Sequence, residues 1–328
     1  MTYRWGILAT GNIAASMADA LHTVDDADLL AVASRTQVGA DAFGERWGVP
    51  RRYAGYAELA ADPDVDIVYI ATPHSFHAEN IRLCLAAGKH VLCEKPLTLN
   101  AREAADCIDL ARQNSLFLME AVWMRFFPAI AQVRIWVDSG VIGDVRFIQA
   151  DFCFHLPFDA AHRLYNPALG GGALLDLGIY PLSLTTMLLG FPDEVHGQAH
   201  IGSTGVDELN ALTLVYKQGA MAQLSSSMRL NKPREAFVVG TDGYIKIHDA
   251  FFCPDQLTLH VNGRNSETHL IPYKHNGYPH EIEAVHAALD VGQLESDLMP
   301  LKESWRMMQL MDDLRAGWGI QLGKNLAR

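Results

Sequence analysis

Trp5-Gly6-Ile7-Leu8-Ala9-Thr10-Gly11-Asn12-Ile13-Ala14 is the stretch on which the reading of this chain turns. An apolar run of strand length, Trp5 to Ala9, enters a short turn and leaves it as an amphipathic helix, Ala14 to Leu21. The turn has the form of a dinucleotide fingerprint with alanine in the first and third glycine positions: a tight turn, then Gly11 without a side chain so that a pyrophosphate can approach, then a small residue where the helix meets the sheet. Amides at the start of such a helix attract anions, so Ala9, Thr10, Gly11, Asn12 and Ile13 are candidate cofactor contacts. In isolation the same residues would serve as a plain strand-to-helix turn.

The surroundings decide for the fingerprint. Leu29 to Ser34, Ile67 to Thr72, His90 to Cys93 and Leu116 to Glu120 are further strand-length apolar runs, and Ala40 to Trp47, His77 to Ala87 and Ala101 to Arg112 have helical periodicity. Continuous apolar strands belong to a parallel sheet covered on both faces by its crossover helices. Asn100 followed by Ala-Arg-Glu103 forms a capping box, and Gly88 punctuates the helix before it. The expectation is an α/β fold: a doubly wound Rossmann domain over residues 1–122 and a second domain over 123–328.

After Pro128 the rhythm changes to a helix ending near Ser139, a strand from Asp144 to Phe154, a helix around Gly172 to Leu189, and then several strands. Turn signals at Lys217-Gln218-Gly219 and Thr241-Asp242-Gly243 predict hairpins over Leu212 to Met228 and Ala236 to His248, hence an antiparallel sheet in an α+β domain. Two helical stretches, His280 to Leu289 and Lys302 to Trp318, close the chain.

Composition bounds the function. Apolar residues make up 49% and charged residues 20% of 328 positions, an ordinary globular balance. The net charge of −12 repels phosphate backbones, so no nucleic-acid partner is expected. Cys84, Cys93, Cys107, Cys153 and Cys253 are odd in number with no close pair, which predicts reduced thiols, no metal site and a cytoplasmic location. The start lacks the basic and apolar regions of a secretory signal. Gly170 to Phe191 is long enough to cross a bilayer, but Asp176 and interrupting Gly and Pro residues favour a buried helix, so no membrane partner is expected.

Three more segments carry chemistry. Where an NAD-binding domain would place Asp or Glu after its second strand, this chain has Ser34-Arg35-Thr36, a guanidinium and two hydroxyls suited to a 2′-phosphate; NADP is favoured, with NAD left open and Arg35 as a solvated surface charge the alternative. Thr72-Pro73-His74-Ser75-Phe76-His77 stands at the carboxyl edge of the sheet, where Thr72, His74 and His77 can contact cofactor or cap the next helix. Cys93-Glu94-Lys95-Pro96 ends another strand, and a lysine beside a cofactor cleft needs a function or a partner, for which Glu94 is available.

These motifs, in this order and together with Gly170-Gly171-Gly172-Ala173-Leu174-Leu175-Asp176-Leu177-Gly178-Ile179-Tyr180, resemble the glucose-fructose oxidoreductase, inositol dehydrogenase and rhizopine catabolism (Gfo/Idh/MocA) family over essentially the whole chain. Met119 to Pro128 and the Asp176–Tyr180 segment are most similar to its dihydrodiol and D-xylose dehydrogenase branch. The resemblance implies hydride transfer between a nicotinamide cofactor and a sugar or vicinal diol, Lys95 beside the nicotinamide, and an open-faced C-terminal sheet through which a homodimer or higher homo-oligomer forms. Many members have His four residues after the helix Asp, whereas this chain has Tyr180.

Asp176 and Tyr180, at i and i+4, share one helical face. With the resemblance, they and Lys95 are expected to converge on one substrate: Tyr180 as acid/base, Lys95 as the charge that lowers its pKa, Asp176 as orienting acceptor. The roles of Lys95 and Tyr180 can also be exchanged. Trp123 and Arg125 are further substrate candidates, as are Phe154, His155 and Phe158, for which core packing is an equal reading. Competing functions are a ketone or imine reductase with a non-sugar substrate and a cofactor sensor without turnover.

Overall fold

The computed structural model describes residues 2–322, and the chain divides into two compact units: residues 2–123 with 274–309, and residues 124–273 with 310–322. In the first unit β1 (Tyr3–Leu8), α1 (Asn12–Leu21), β2 (Ala27–Ala33), α2 (Gln37–Trp47), β3 (Arg51–Tyr53), α3 (Tyr56–Ala60), β4 (Ile67–Ile70), α4 (His77–Ala86), β5 (His90–Glu94), α5 (Ala101–Gln113) and β6 (Leu118–Ala121) alternate. All six strands are parallel, in the order β3-β2-β1-β4-β5-β6. The order reverses between β1 and β4, and ligands of such sheets bind at the carboxyl ends beside that reversal.

The apolar runs work as expected: Trp5, Ile7, Leu8 and all of Ile67–Ile70 are completely buried. The cap forms, with Asn100 Oδ1 accepting the Glu103 amide at 2.9 Å, and Glu103 Oε2 reaches one residue past the expected partner to accept the Leu99 amide at 3.2 Å. No apolar run announces β3, because Arg51-Arg52-Tyr53 is a half-buried edge strand.

The second unit opens with α6 (Pro128–Asp138) and β7 (Val145–Cys153). A turn of π-helix over Leu174–Gly178 runs into α7 (Ile179–Leu189), and β8 (Glu194–Ile201), β9 (Asp207–Val215), β10 (Met221–Ser227), β11 (Ala236–Gly240), β12 (Gly243–Ile247), β13 (Gln256–Val261) and β14 (Glu267–Leu270) follow. They form one eight-stranded sheet in the order β14-β13-β12-β11-β7-β10-β9-β8. Both expected hairpins are present. The sheet is antiparallel except at its centre, where β7 and β10 run parallel because β7 comes from earlier in the chain.

One sheet face is apolar and covered: Ile148, Ala150, Ala222 and Leu224 are buried, while Gln149, Met221 and Gln223 alternate with them on the exposed face. The membrane-length segment is a core helix, with Ile179 through Thr186 buried on every side.

The chain then returns to the first unit, a finding that a single boundary at 122 did not provide for. In α8 (Pro279–Asp290), His286 Nε2 accepts the Trp5 indole at 3.0 Å and Asp290 accepts the Tyr3 hydroxyl at 2.8 Å, while the Leu294 carbonyl takes the Leu118 amide at 3.1 Å. The return thus supplies partners to β1 and to β6, which would otherwise be a bare sheet edge. The final helix, α9 (Leu301–Gly317), begins with the first unit and ends with the second.

Candidate active site

In the first unit the predicted cofactor residues gather at the carboxyl ends of β1, β2, β4 and β5. Ala9 has φ 85°, so the alanine in the first fingerprint position takes the left-handed backbone for which glycine is the usual choice. Gly11 caps α1, and a Cβ built on it would meet no protein atom within 4 Å. The protein's own packing therefore does not require this glycine. An open backbone at a helix start fits the close approach of a pyrophosphate.

Thr10 Oγ1 and Ser34 Oγ lie 3.4 Å apart, linking the ends of β1 and β2. Thr36 caps α2 by accepting the Gly39 amide at 3.2 Å, and a side chain at Gly39 would come within 2.7 Å of Ser34 Oγ. Thr36 therefore keeps its hydroxyl hydrogen for an acceptor, and Arg35 beside it is exposed.

The structure corrects the role of His77. This fully buried ring places Nδ1 2.8 Å from the Pro96 carbonyl and Nε2 2.8 Å from the Thr72 carbonyl, which leaves neither nitrogen for a cofactor. Burial, with the charges of His74 and Lys95, pulls its pKa down to about 3. With both ring nitrogens turned to carbonyl oxygens, His77 is a strut between two loops at the sheet edge. Asn80 donates to Thr72 Oγ1 at 3.0 Å, and His74 is 6% exposed with its ring edge-on to His77.

The turn that presents Lys95 is held from several sides. Glu94 accepts the Tyr69 hydroxyl on one oxygen and the Lys95 amide on the other, and Glu120 accepts the Leu97 amide at 2.8 Å. Trp123 stacks on Tyr278 from the returning segment, with centroids 4.7 Å apart.

In the second unit Asp176 lies in the π turn and Tyr180 in the first turn of α7, so the expected i, i+4 pair spans a wider turn than an α-helix provides. Asp176 is bound in two-pronged fashion by Arg163, at 3.0 and 3.2 Å. The carboxylate side chain is 7% exposed and the guanidinium 47%. The Tyr180 ring, 7% exposed, lies 5.4 Å from Phe152 and 5.3 Å from Phe252, two rings that stack on each other. Arg163, Phe152 and Phe252 escaped the sequence reading. The alternation along β7 could have flagged Phe152, but nothing local marks the loop residues.

Arg125 also needs correction. It is 2% exposed, and its guanidinium donates to Ser183 Oγ at 2.8 Å and to the Ser183 carbonyl at 3.2 Å. It braces α7 through Ser183, a role the sequence did not suggest. Phe154 packs against Leu164, Tyr165, Val206 and Met228, which is the core alternative. Phe158 is exposed against Tyr165, and His155 pairs through its backbone with Asn231.

Comparison with known proteins identifies both parts of this architecture. Residues 3–122 match an oxidoreductase family model with an NAD-binding Rossmann fold, and residues 130–246 match the GFO/IDH/MocA C-terminal domain. Trans-1,2-dihydrobenzene-1,2-diol dehydrogenases of Mus musculus and Homo sapiens are each 35% identical, with 98% of both chains covered. KijD10, a 3-ketoreductase from Actinomadura kijaniata crystallised with NADP and TDP-benzene, superposes with a TM-score of 0.86 at 30% identity, over 97% of this chain and 98% of that one. The aldose-aldose oxidoreductase of Caulobacter crescentus shares the fold, with a TM-score of 0.88 at 24% identity over 96% of this chain and 97% of that one. A Rossmann unit with an open fingerprint and a second unit built on an eight-stranded sheet agree with these matches, and the chain belongs to the Gfo/Idh/MocA family of oxidoreductases.

Proposed function

We propose that the protein is an NADP-dependent dehydrogenase/reductase acting at a hydroxyl or carbonyl carbon of a vicinal diol or pyranose, of which trans-dihydrodiols and D-xylose are the first to try. The observation that carries the proposal is the Asp176–Tyr180 segment: a phenol bracketed by two aromatic rings, four residues from a buried carboxylate fixed by a guanidinium. The full-length likeness to dihydrodiol dehydrogenases supports the substrate class.

Ala9 to Ile13 would hold the pyrophosphate and Ser34-Arg35-Thr36 the 2′-phosphate, with Thr72, His74, Glu94 and Lys95 along the same sheet edge. When bound, the nicotinamide ring gives or takes a hydride at its carbon 4. A hydroxyl that loses hydride also loses its proton, and Tyr180 takes that proton from the substrate oxygen or returns it in the reverse direction. A free phenol titrates near ~10, so the reaction needs a nearby positive charge, which we assign to Lys95. Asp176, oriented by Arg163, accepts a neighbouring substrate hydroxyl, and Trp123 offers a flat face to a ring. Phe158, exposed beside Tyr165, would add a further aromatic contact to the substrate.

Tyr180→Phe and Lys95→Met, compared in pH-rate profile with NADP affinity measured separately, test the assignment. Loss of turnover in Tyr180→Phe with cofactor binding retained is expected; unchanged turnover would dismiss it. We also propose a homodimer formed through the exposed sheet face that bears Gln149, Met221 and Gln223, and a cytoplasmic location suited to five free thiols. Gel filtration returning monomer alone would remove the dimer.

A further inference from the structure

Beneath the π turn lies a chain of buried polar side chains with no part in the proposed chemistry. Asp207, at the start of β9, accepts the Leu174 amide at 2.7 Å and the Asn210 side-chain amide at 2.9 Å, both on Oδ2. Asn210 Oδ1 in turn accepts the Ser226 hydroxyl at 3.0 Å. These three side chains are at most 2% exposed.

Two glycines show how closely the turn sits on this chain. A Cβ at Gly172, whose φ is 118°, would come within 2.3 Å of Asp207 Oδ1, and a Cβ at Gly178 would come within 3.0 Å of Ser226 Oγ. The network therefore grips the π turn at its first residue and touches its last. Asp176 stands between those points.

We infer that Asp207 is a positioning residue: its carboxylate anchors the π turn through the Leu174 amide and thereby fixes where Asp176 and Tyr180 present their polar groups. The inference rests on the site reading proposed above. Hydrogen bonds that accept on a charged oxygen are about twice as strong as neutral ones, so the anchor is firm only while Asp207 is ionised.

Burial opposes that charge and raises the Asp207 pKa to about 6, against the pull of its hydrogen bonds and of Arg315 in α9. Arg315 is the charged side chain acting on it, and Asn210 of β9 and Ser226 of β10 are its neutral neighbours. Below that pH the carboxyl is protonated and the turn loosens.

The test is oxidation of trans-1,2-dihydrobenzene-1,2-diol with NADP from pH 5 to 9. In the wild-type protein kcat falls through an apparent pKa near 6 to a plateau at least about fivefold lower, as expected when a charge-assisted bond becomes a neutral one, while the affinity for NADP stays level. Asp207→Asn resembles the protonated residue, so its kcat lies at the low plateau and the limb near 6 disappears, while the loss that follows protonation of the Tyr180 base stays at its own pH. Ser226→Ala frees Asn210 to turn away, weakens a donor to the carboxylate, and moves the limb to higher pH.

A Tyr180→Phe variant with unchanged turnover would remove the site reading and this inference with it. If Tyr180→Phe is inactive but Asp207→Asn keeps the wild-type kcat and the limb near 6, the inference alone is overturned. Should Asp207→Asn fail to fold, the shift in Ser226→Ala decides, and an unmoved limb there is equally fatal.

Discussion

Residue identity explains much of this molecule only when backbone conformation is added. Ala9 occupies a position that a fingerprint normally gives to glycine, and with φ 85° it carries a Cβ in the left-handed region. That conformation costs an L-residue roughly 1–2 kcal/mol, part of which glycine would return as unfolded-state entropy. Ala9→Gly should accordingly stabilise the first unit by about 0.5–1 kcal/mol, seen as a higher urea midpoint; a lower midpoint would contradict the strain. Arg163 is the opposite case, a residue with no local signature whose importance is purely tertiary. It lies 13 positions before Asp176, in a loop whose path the sequence does not reveal. Arg163→Gln removes the two-pronged ion pair to a nearly buried carboxylate. Because the guanidinium is half exposed, the loss of stability should be only about 1 kcal/mol. A misplaced Asp176 should lower kcat/KM roughly ten- to a hundredfold, with KM for NADP unchanged. A variant as active as the wild type would show that Asp176 needs no orienting.

At the scale of elements, legibility followed burial. The parallel strands could be found from sequence because both faces of each are covered, so their residues form unbroken apolar runs; β3, half-buried at the edge, left no such trace. The predicted helix over Gly172–Leu189 was also sound in extent, but its first turn is wider than α, for a reason that lies in another element. Gly171 and Gly172 let the chain pass between the Arg163–Leu164 backbone and the Asp207 carboxylate before the turn begins. His77 and Arg125 mark the limit of motif reading: each lies where a ligand contact was expected, and each is consumed by backbone or side-chain partners on neighbouring elements. Gly172→Ala tests this dependence of the turn on its support. A methyl at φ 118° meets Asp207 Oδ1 at 2.3 Å, so strain of roughly 1–3 kcal/mol adds to displacement of the anchor. Turnover should collapse while NADP binding by the first unit persists; full activity would mean that the turn tolerates a shift.

For the molecule as a whole, the return of residues 274–309 to the first unit was illegible because a helix periodicity tells which face is apolar but not which surface will cover it. The same tertiary burial sets how the protein responds to acid. His77 and His286 are at most 2% exposed and both have lowered pKa values, chiefly through desolvation of the imidazolium. For His77 the folded pKa of about 3 lies far below the ordinary value of 6.5, so the unfolded chain takes up this proton first as pH falls. Its contribution is therefore complete above pH 6.5 and is lost progressively from there down towards pH 3. Each pH unit in that window removes up to about 1.4 kcal/mol. Asp207 acts with the opposite sign, since its raised pKa lets the folded state bind the extra proton between the ordinary carboxylate range and about 6. The wild-type curve is thus a sum of opposed terms, and the clean quantity is a difference. His77→Gln cannot titrate, so the stability of the wild-type protein relative to this variant should shrink steadily between pH 6.5 and 4.5 in urea unfolding followed by circular dichroism. A difference that stays constant over that range would mean that His77 is already charged in the folded protein, donating to both the Thr72 and Pro96 carbonyls at once.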